Sequence, residues 1–140
     1  MKPASIVVLA SILLSVTGSA QEQKSPAVAP MHSMVRPGQM KWGPGPPNLP
    51  KGVQMVVLSG DPTKAEMSVV RAKMPAGYKI PPHWHPTDEQ LTVLSGTLSM
   101  GMADTFDPAK STDLGPGGWA LMPATVHHFA WTKAGCTIQV

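Results

Sequence analysis

The chain has 140 residues, of which 16 are Pro and 13 are Gly. So many backbone breakers exclude a helical bundle or coiled coil and favour short strands joined by turns. With 42% hydrophobic and 14% charged residues, the composition is not that of a wholly disordered chain, and the length suffices for one domain. The net charge of +3 comes from scattered residues. No window gathers Lys and Arg as a phosphate-tracking surface does, so nucleic acid is not an expected partner. The single cysteine, Cys136, rules out an intramolecular disulfide framework and a cysteine-cluster metal site. In its apolar stretch it reads as a small buried hydrophobe.

Residues 1–20 read as an export signal. Lys2 supplies a short positive region, Ile6 to Val16 is an apolar run too short to span a bilayer, and Gly18-Ser19-Ala20 suits cleavage after Ala20. The expected destination is the periplasm or the exterior, with no membrane attachment once the leader is removed. Residues 21–52 form a Pro-rich arm carrying Pro26, Pro30, Pro37, Pro44, Pro46, Pro47 and Pro50. It lacks the apolar periodicity for a core of its own. Gln21 to about Met34 is expected to be disordered, and Trp42, Leu49 and Val53 to fasten the rest to the domain. Linker, lid and strand wrapping a second subunit all remain open for this arm.

From Val53 the pattern changes to strands. Val53 to Leu58 is the first, followed by the turn Gly60-Asp61-Pro62-Thr63, and Met67 to Met74 is the second. Tyr78 to Trp84 is extended, because Pro81 and Pro82 disfavour helix. Leu91 to Leu94 and Thr97 to Met102 are predicted to form a hairpin around Ser95-Gly96. Asp104 to Gly118 reads as a polar loop. Trp119 to Met122, Val126 to Trp131 and Thr137 to Val140 complete the set. The spacing predicts an all-β sandwich or barrel. Because the last run stops in mid-strand, either a sequence cut short or a barrel seam completed by another subunit is expected. A barrel of roughly 90 residues is small for one core, which also favours a homodimer.

The histidines carry the chemistry. In extended chain, residues two apart face the same side, so His83 and His85 aim inward together while Trp84 faces away. Glu89 shares parity with Leu91, Val93 and Ser95, which places its carboxylate inside, where an unpaired charge is costly. A metal ion would be its partner. Two imidazoles and a carboxylate suit Fe, Mn, Ni, Cu or Zn as a divalent ion and leave coordination positions open. Asp88 and Gln90 take the opposite parity and are expected outside. Leu98, Met100 and Met102 should line the interior as core, and Met122 is placed near the metal.

Gly77, His83, His85, Glu89 and Gly96 stand at the spacing Gly, five residues, His-x-His, three residues, Glu, six residues, Gly. On these residues the chain resembles the cupin superfamily, and Gly117, Pro123 and His128 fit that family's second motif. Thr125 stands where Gly is usual and Thr132 where Asn is usual. The resemblance covers about residues 53–140. It implies an antiparallel double-stranded β-helix, the jelly-roll barrel of cupins, with His83, His85, Glu89 and His128 as ligands of one divalent transition metal. His127 remains the alternative to His128. With His128 inward, His127, Phe129 and Trp131 point outward, and their rings suggest packing against another sheet, the Pro-rich arm or a second subunit. A small organic molecule is the expected ligand or substrate. Dioxygenases, decarboxylases, lyases and isomerases all occur among cupins, and a non-catalytic metal or small-ligand binding module is the alternative.

Overall fold

Ten strands and two short 3-10 turns, at Pro37–Gln39 and Pro108–Lys110, make up the computed structural model, which describes residues 33–140. The export signal read at residues 1–20 and the stretch 21–32 lie outside the described residues. In chain order the strands are β1 (Gly43–Pro44), β2 (Gln54–Ser59), β3 (Val69–Met74), β4 (Lys79–His83), β5 (Glu89–Gly96), β6 (Leu98–Gly101), β7 (Thr112–Leu114), β8 (Trp119–Met122), β9 (His128–Trp131) and β10 (Cys136–Gln139). All pairings are antiparallel. One sheet runs β1-β2-β3-β10-β5-β8 and the other β4-β9-β6-β7. Alternation along the strands sends Ala72, Met74, Leu91, Val93, Leu98, Met100, Met122 and Ile138 between the sheets, where they form the core. This is the all-β, two-sheet architecture expected of a jelly-roll cupin.

Several expectations change once the sheets are assembled. Leu91 to Leu94 and Thr97 to Met102 do not form a hairpin, because β5 pairs with β10 and β8 while β6 pairs with β9 and β7. The chain crosses from one sheet to the other at Gly96. That residue has φ of +74°, and a Cβ there would lie 2.2 Å from the Gly135 carbonyl oxygen. The 104–118 segment is not wholly a loop: it contains the Pro108–Lys110 turn and β7. Met102 is 52% exposed, since β6 ends one residue earlier, whereas Leu98 and Met100 are buried. The final strand is not an open seam. β10 lies between β3 and β5, and Val140 exchanges two 2.9 Å backbone hydrogen bonds with Val70.

The later part of the Pro-rich arm pairs with its own chain. Gly43 and Pro44 lie against Met55 and Gln54 on the edge of β2, Leu49 packs on the core, and the Tyr78 hydroxyl donates to the Pro50 carbonyl. On the opposite sheet, Phe129 points away from the barrel interior yet is fully buried. Its cover is the 104–111 segment of the same chain, not another sheet, the arm or a second subunit. Phe106 packs 5.0 Å from its ring centroid, and Ser111 accepts a 3.1 Å hydrogen bond from the Trp131 indole. Gly101 is required beneath this layer, because a Cβ would meet the Phe129 ring at 2.3 Å.

Candidate metal centre

Four side chains meet at one mouth of the barrel. β4 supplies His83 through an irregular register: Ile80 opposes Ala130, but His83 opposes His128, so β4 spends three residues where β9 spends two. Ile80 and Ala130 both pack on the core. Strict alternation from Ile80 would turn His83 outward, and the extra residue at Pro81-Pro82 turns it inward. Proline has no N–H to give to a ladder, so a bulge is where these two residues are tolerated. Trp84 then faces away, 52% exposed, and His85 returns inward in the loop. Glu89 opens β5 on the face of buried Leu91 and Val93, and His128 opens β9 at 2% exposure.

The ligand-capable atoms of His83, His85, Glu89 and His128 all lie within 4.8 Å of one another. Their rings are not stacked but tilted: His83 and His85 meet edge-on at 4.9 Å between centroids, and His83 and His128 at 4.3 Å and 57°. His83 Nδ1 lies 2.9 Å from the Pro81 carbonyl and His128 Nδ1 lies 3.1 Å from that of Val126. A carbonyl only accepts, so each Nδ1–H donates and each Nε2 keeps its lone pair for another partner. Glu89 Oε2 is 3.1 Å from His85 Nε2 and 3.4 Å from His128 Nε2. Neither contact is aligned as a hydrogen bond, and both Nε2 atoms are buried without a hydrogen-bond partner.

Such orphaned nitrogens cost about 1–3 kcal/mol each in an apolar interior. A divalent cation among three imidazoles and a carboxylate would satisfy them all, so the residues present fit a transition metal. The charges of the four side chains also act on one another. Burial pushes the Glu89 carboxyl up, but the His128 ring against it and the other imidazoles outweigh burial and hold it below its ordinary value. Burial, with the neighbouring rings, lowers the His83 imidazole. For His128 burial acts downward too, but contact with Glu89 raises it overall.

The cluster contains His128 and excludes His127, whose Nδ1 lies 2.7 Å from Asp104 on the outer surface. Met122 is buried opposite Glu89 in the β5–β8 register, in keeping with its placement near the site. Asp88 is exposed, as parity requires, yet it accepts a 2.8 Å hydrogen bond from the Ala124 N–H. That contact joins the loop before Glu89 to the turn before His128, and sequence parity alone did not reveal it. Thr125 keeps the left-handed conformation of the glycine it replaces, with φ of +65°. It is the only residue other than glycine with positive φ among the described residues. Thr132 accepts from Gly135 N–H and donates to the Thr97 carbonyl at 2.7 Å, buried at the other end of the barrel.

Two antiparallel sheets closed around a His-His-Glu-His mouth define a cupin with a possible metal site. The family described as the ChrR Cupin-like domain matches residues 30–140, and the chain belongs to it. Solved structures agree on the fold. KdgF from Halomonas sp. is 19% identical, with 78% of this chain and 91% of that chain covered and a TM-score of 0.59. The polyketide cyclase RemF from Streptomyces resistomycificus is 20% identical over 78% of this chain and 77% of its own, also at a TM-score of 0.59. A structure of Rhodobacter sphaeroides SigE in complex with the anti-sigma ChrR is similar at 21% identity and a TM-score of 0.55, over 74% of this chain and 50% of that chain. No curated protein matches the sequence.

Proposed function

We propose that this chain is an exported metal-dependent cupin whose His83, His85, Glu89 and His128 hold one divalent transition metal, and that a small organic molecule binds beside it as substrate. The observation that carries the reading is the pair of buried, partnerless Nε2 atoms on His85 and His128 facing the Glu89 carboxylate. Nothing else within the described site uses those lone pairs. When bound, the metal would act as a Lewis acid toward an oxygen of the substrate and so support lyase, decarboxylase, isomerase or dioxygenase chemistry. The protein's own part is to hold the His83 and His128 imidazoles in the Nε2-free tautomer through the Pro81 and Val126 carbonyls, to keep Glu89 ionised and to shape the space beside them.

Room for the molecule lies against neighbouring residues of the same strands, not among the four cluster residues themselves. A cleft of about 440 Å³ lies between Met100, Met102, Thr112, Leu114 and Ala120, with Lys110 among its lining residues. It shares strands with the cluster: Ala120 is two residues from Met122, which opposes Glu89, and Met100 opposes Ala130, two residues from His128. A wall of thioethers and aliphatic groups suits a compact, largely apolar molecule. The leader features at Lys2, Ile6–Val16 and Gly18-Ser19-Ala20 support export. The exposed outer side chains Leu94, Trp119 and Leu121, on adjacent strands, support a homodimer.

A non-catalytic binding role is favoured by one observation. Among the described residues, the buried polar side chains other than His128 are Ser99 and Thr132. Both are engaged elsewhere, with Asp113 and with Thr97 and Gly135, so no separate general acid or base is buried beside the cluster. The likeness to a structure that includes the anti-sigma ChrR supports the same role. The test is metal analysis of mature protein purified without chelator, beside His83→Ala and His128→Ala. About one equivalent of transition metal in the wild type, lost in both variants, is expected. A wild type that takes up none would refute the assignment, and a metal with no exchangeable water would favour the binding role over the enzyme.

A further inference from the structure

We propose that Asp88 is a positioning residue that fixes the geometry of the four-residue cluster, an inference that rests on the metal reading of the site. The ligand-capable residues come from two separate segments. Residues 84–88 carry His85 and lead into Glu89, and residues 123–127 lead into His128. β5 and β8 pair as far as Glu89 opposite Met122. The next step of the ladder would place Asp88 opposite Pro123, and proline has no N–H to donate. The backbone ladder stops one residue short of the place where the segments must be held together.

Two bonds take over. Asp88 Oδ1 accepts from Ala124 N–H at 2.8 Å, and the His85 carbonyl accepts from Thr125 N–H at 2.8 Å. A charged acceptor makes the first of these the stronger kind. The successive N–H groups of Ala124 and Thr125 thus reach across to one loop, and Thr125 is itself left-handed, an unfavourable state for a β-branched residue that costs on the order of 1–3 kcal/mol. Strain of that kind persists only where the surroundings impose it, and the bonds to His85 and Asp88 are such an imposition. Thr125 N–H holds the His85 carbonyl, Glu89 is held opposite Met122 and His83 opposite His128. The Asp88 contact is therefore the side-chain tie that fixes the 84–88 loop, and with it the His85 ring, against the segment leading into His128. Asp88 itself lies outside the cluster.

The experiment titrates Co(II) alone into the metal-free full chain and records its visible absorption, for wild type, Asp88→Ala and Asp88→Asn. Asp88→Ala is expected to weaken Co(II) binding by about 10- to 100-fold, the range typical of groups that orient metal ligands, and to alter the ligand-field bands. The amide oxygen of Asp88→Asn still accepts from Ala124 N–H and should restore the wild-type spectrum, with affinity within about threefold. Asp88→Leu, close to Asp in size and without an acceptor, serves the same comparison if Asp88→Ala does not fold. Binding and spectrum unchanged in the variants lacking the acceptor would overturn the role of Asp88 while leaving the metal centre intact. A wild type that binds no Co(II) would overturn the metal centre and this inference together.

Discussion

The two ends of the barrel are built from the same strands and treat their polar groups in opposite ways. At the end formed by Gly77, Tyr78, Gly96, Thr132, Gly135 and Cys136, buried polar atoms are matched. Thr132 accepts from Gly135 and donates to Thr97, its backbone N–H and carbonyl pair with the Tyr78 carbonyl and the Gly77 N–H, and Tyr78 donates to Pro50. At the mouth, two buried imidazole nitrogens face one carboxylate and have no hydrogen-bond partner. A fold that satisfies its groups at one end and leaves two nitrogens open at the other has, at the second, groups that could hold a metal. One end holds the protein together, and the other is where binding energy can be gained.

Substitutions can break this contrast. The largest effect is expected from His128→Ala, which removes the most buried nitrogen donor. Metal affinity should fall by at least about 1,000-fold, on the order of 4 kcal/mol, when followed by titration calorimetry. The same variant should lose the thermal stabilisation that metal gives the wild type, about 2.7 kcal/mol at a hundredfold excess over Kd. Equal stabilisation of both proteins by metal would count against the site. Gly96→Ala should act at the other end alone. Its Cβ would meet the Gly135 carbonyl and the Cys136 Cα at 2.2 and 2.8 Å, and urea unfolding should show a loss of about 2–4 kcal/mol. The folded fraction should keep its metal affinity.

Thr132→Val should cost about 1–3 kcal/mol, because it leaves Gly135 N–H and the Thr97 carbonyl unmatched in a buried place. No change in the unfolding midpoint would mean that this network does not stabilise the closed end. Thr125→Gly is a smaller change of opposite sign. Relief of the left-handed strain should stabilise the metal-free protein by about 1 kcal/mol, and an unchanged or lower midpoint would remove the case for strain at the mouth. The smallest effect concerns Cys136. Burial raises its thiol pKa, only partly offset by Thr132, so the folded group ionises at higher pH than the unfolded one. The stability it lends is complete below the unfolded pKa and is lost as pH rises through the folded value. Its reaction with a thiol reagent in mildly alkaline buffer should therefore track unfolding.

Much of the cluster was legible in the chain. The spacing of His83, His85 and Glu89 and the parity of Glu89 with Leu91 and Val93 gave a face and a chemistry, and His128 followed from the second motif. Parity succeeded for His83 for a reason it did not contain. The bulge at Pro81-Pro82 reverses the alternation set by Ile80, and only the pairing of β4 with β9 reveals it. The predicted hairpin failed because local turn chemistry at Ser95-Gly96 is compatible with both a reversal and a crossing between sheets. The choice was made by β10, which occupies the place beside β5 that a hairpin partner would have taken. The cover over Phe129 was similarly invisible, since a polar stretch from Asp104 gives no periodic signal, yet Phe106 folds back from it.

Sequence by itself determined that this chain is a β protein, which residues alternate, and which side chains have metal-ligating chemistry, because those properties follow from backbone stereochemistry and side-chain type one residue at a time. The tertiary structure decided which strands share a sheet, that His127 turns to Asp104 while His128 turns inward, and that Asp88 reaches Ala124 where Pro123 interrupts the ladder. Those outcomes depend on partners far away in the chain, and a hydrogen bond or a buried nitrogen is defined only once both sides are in place.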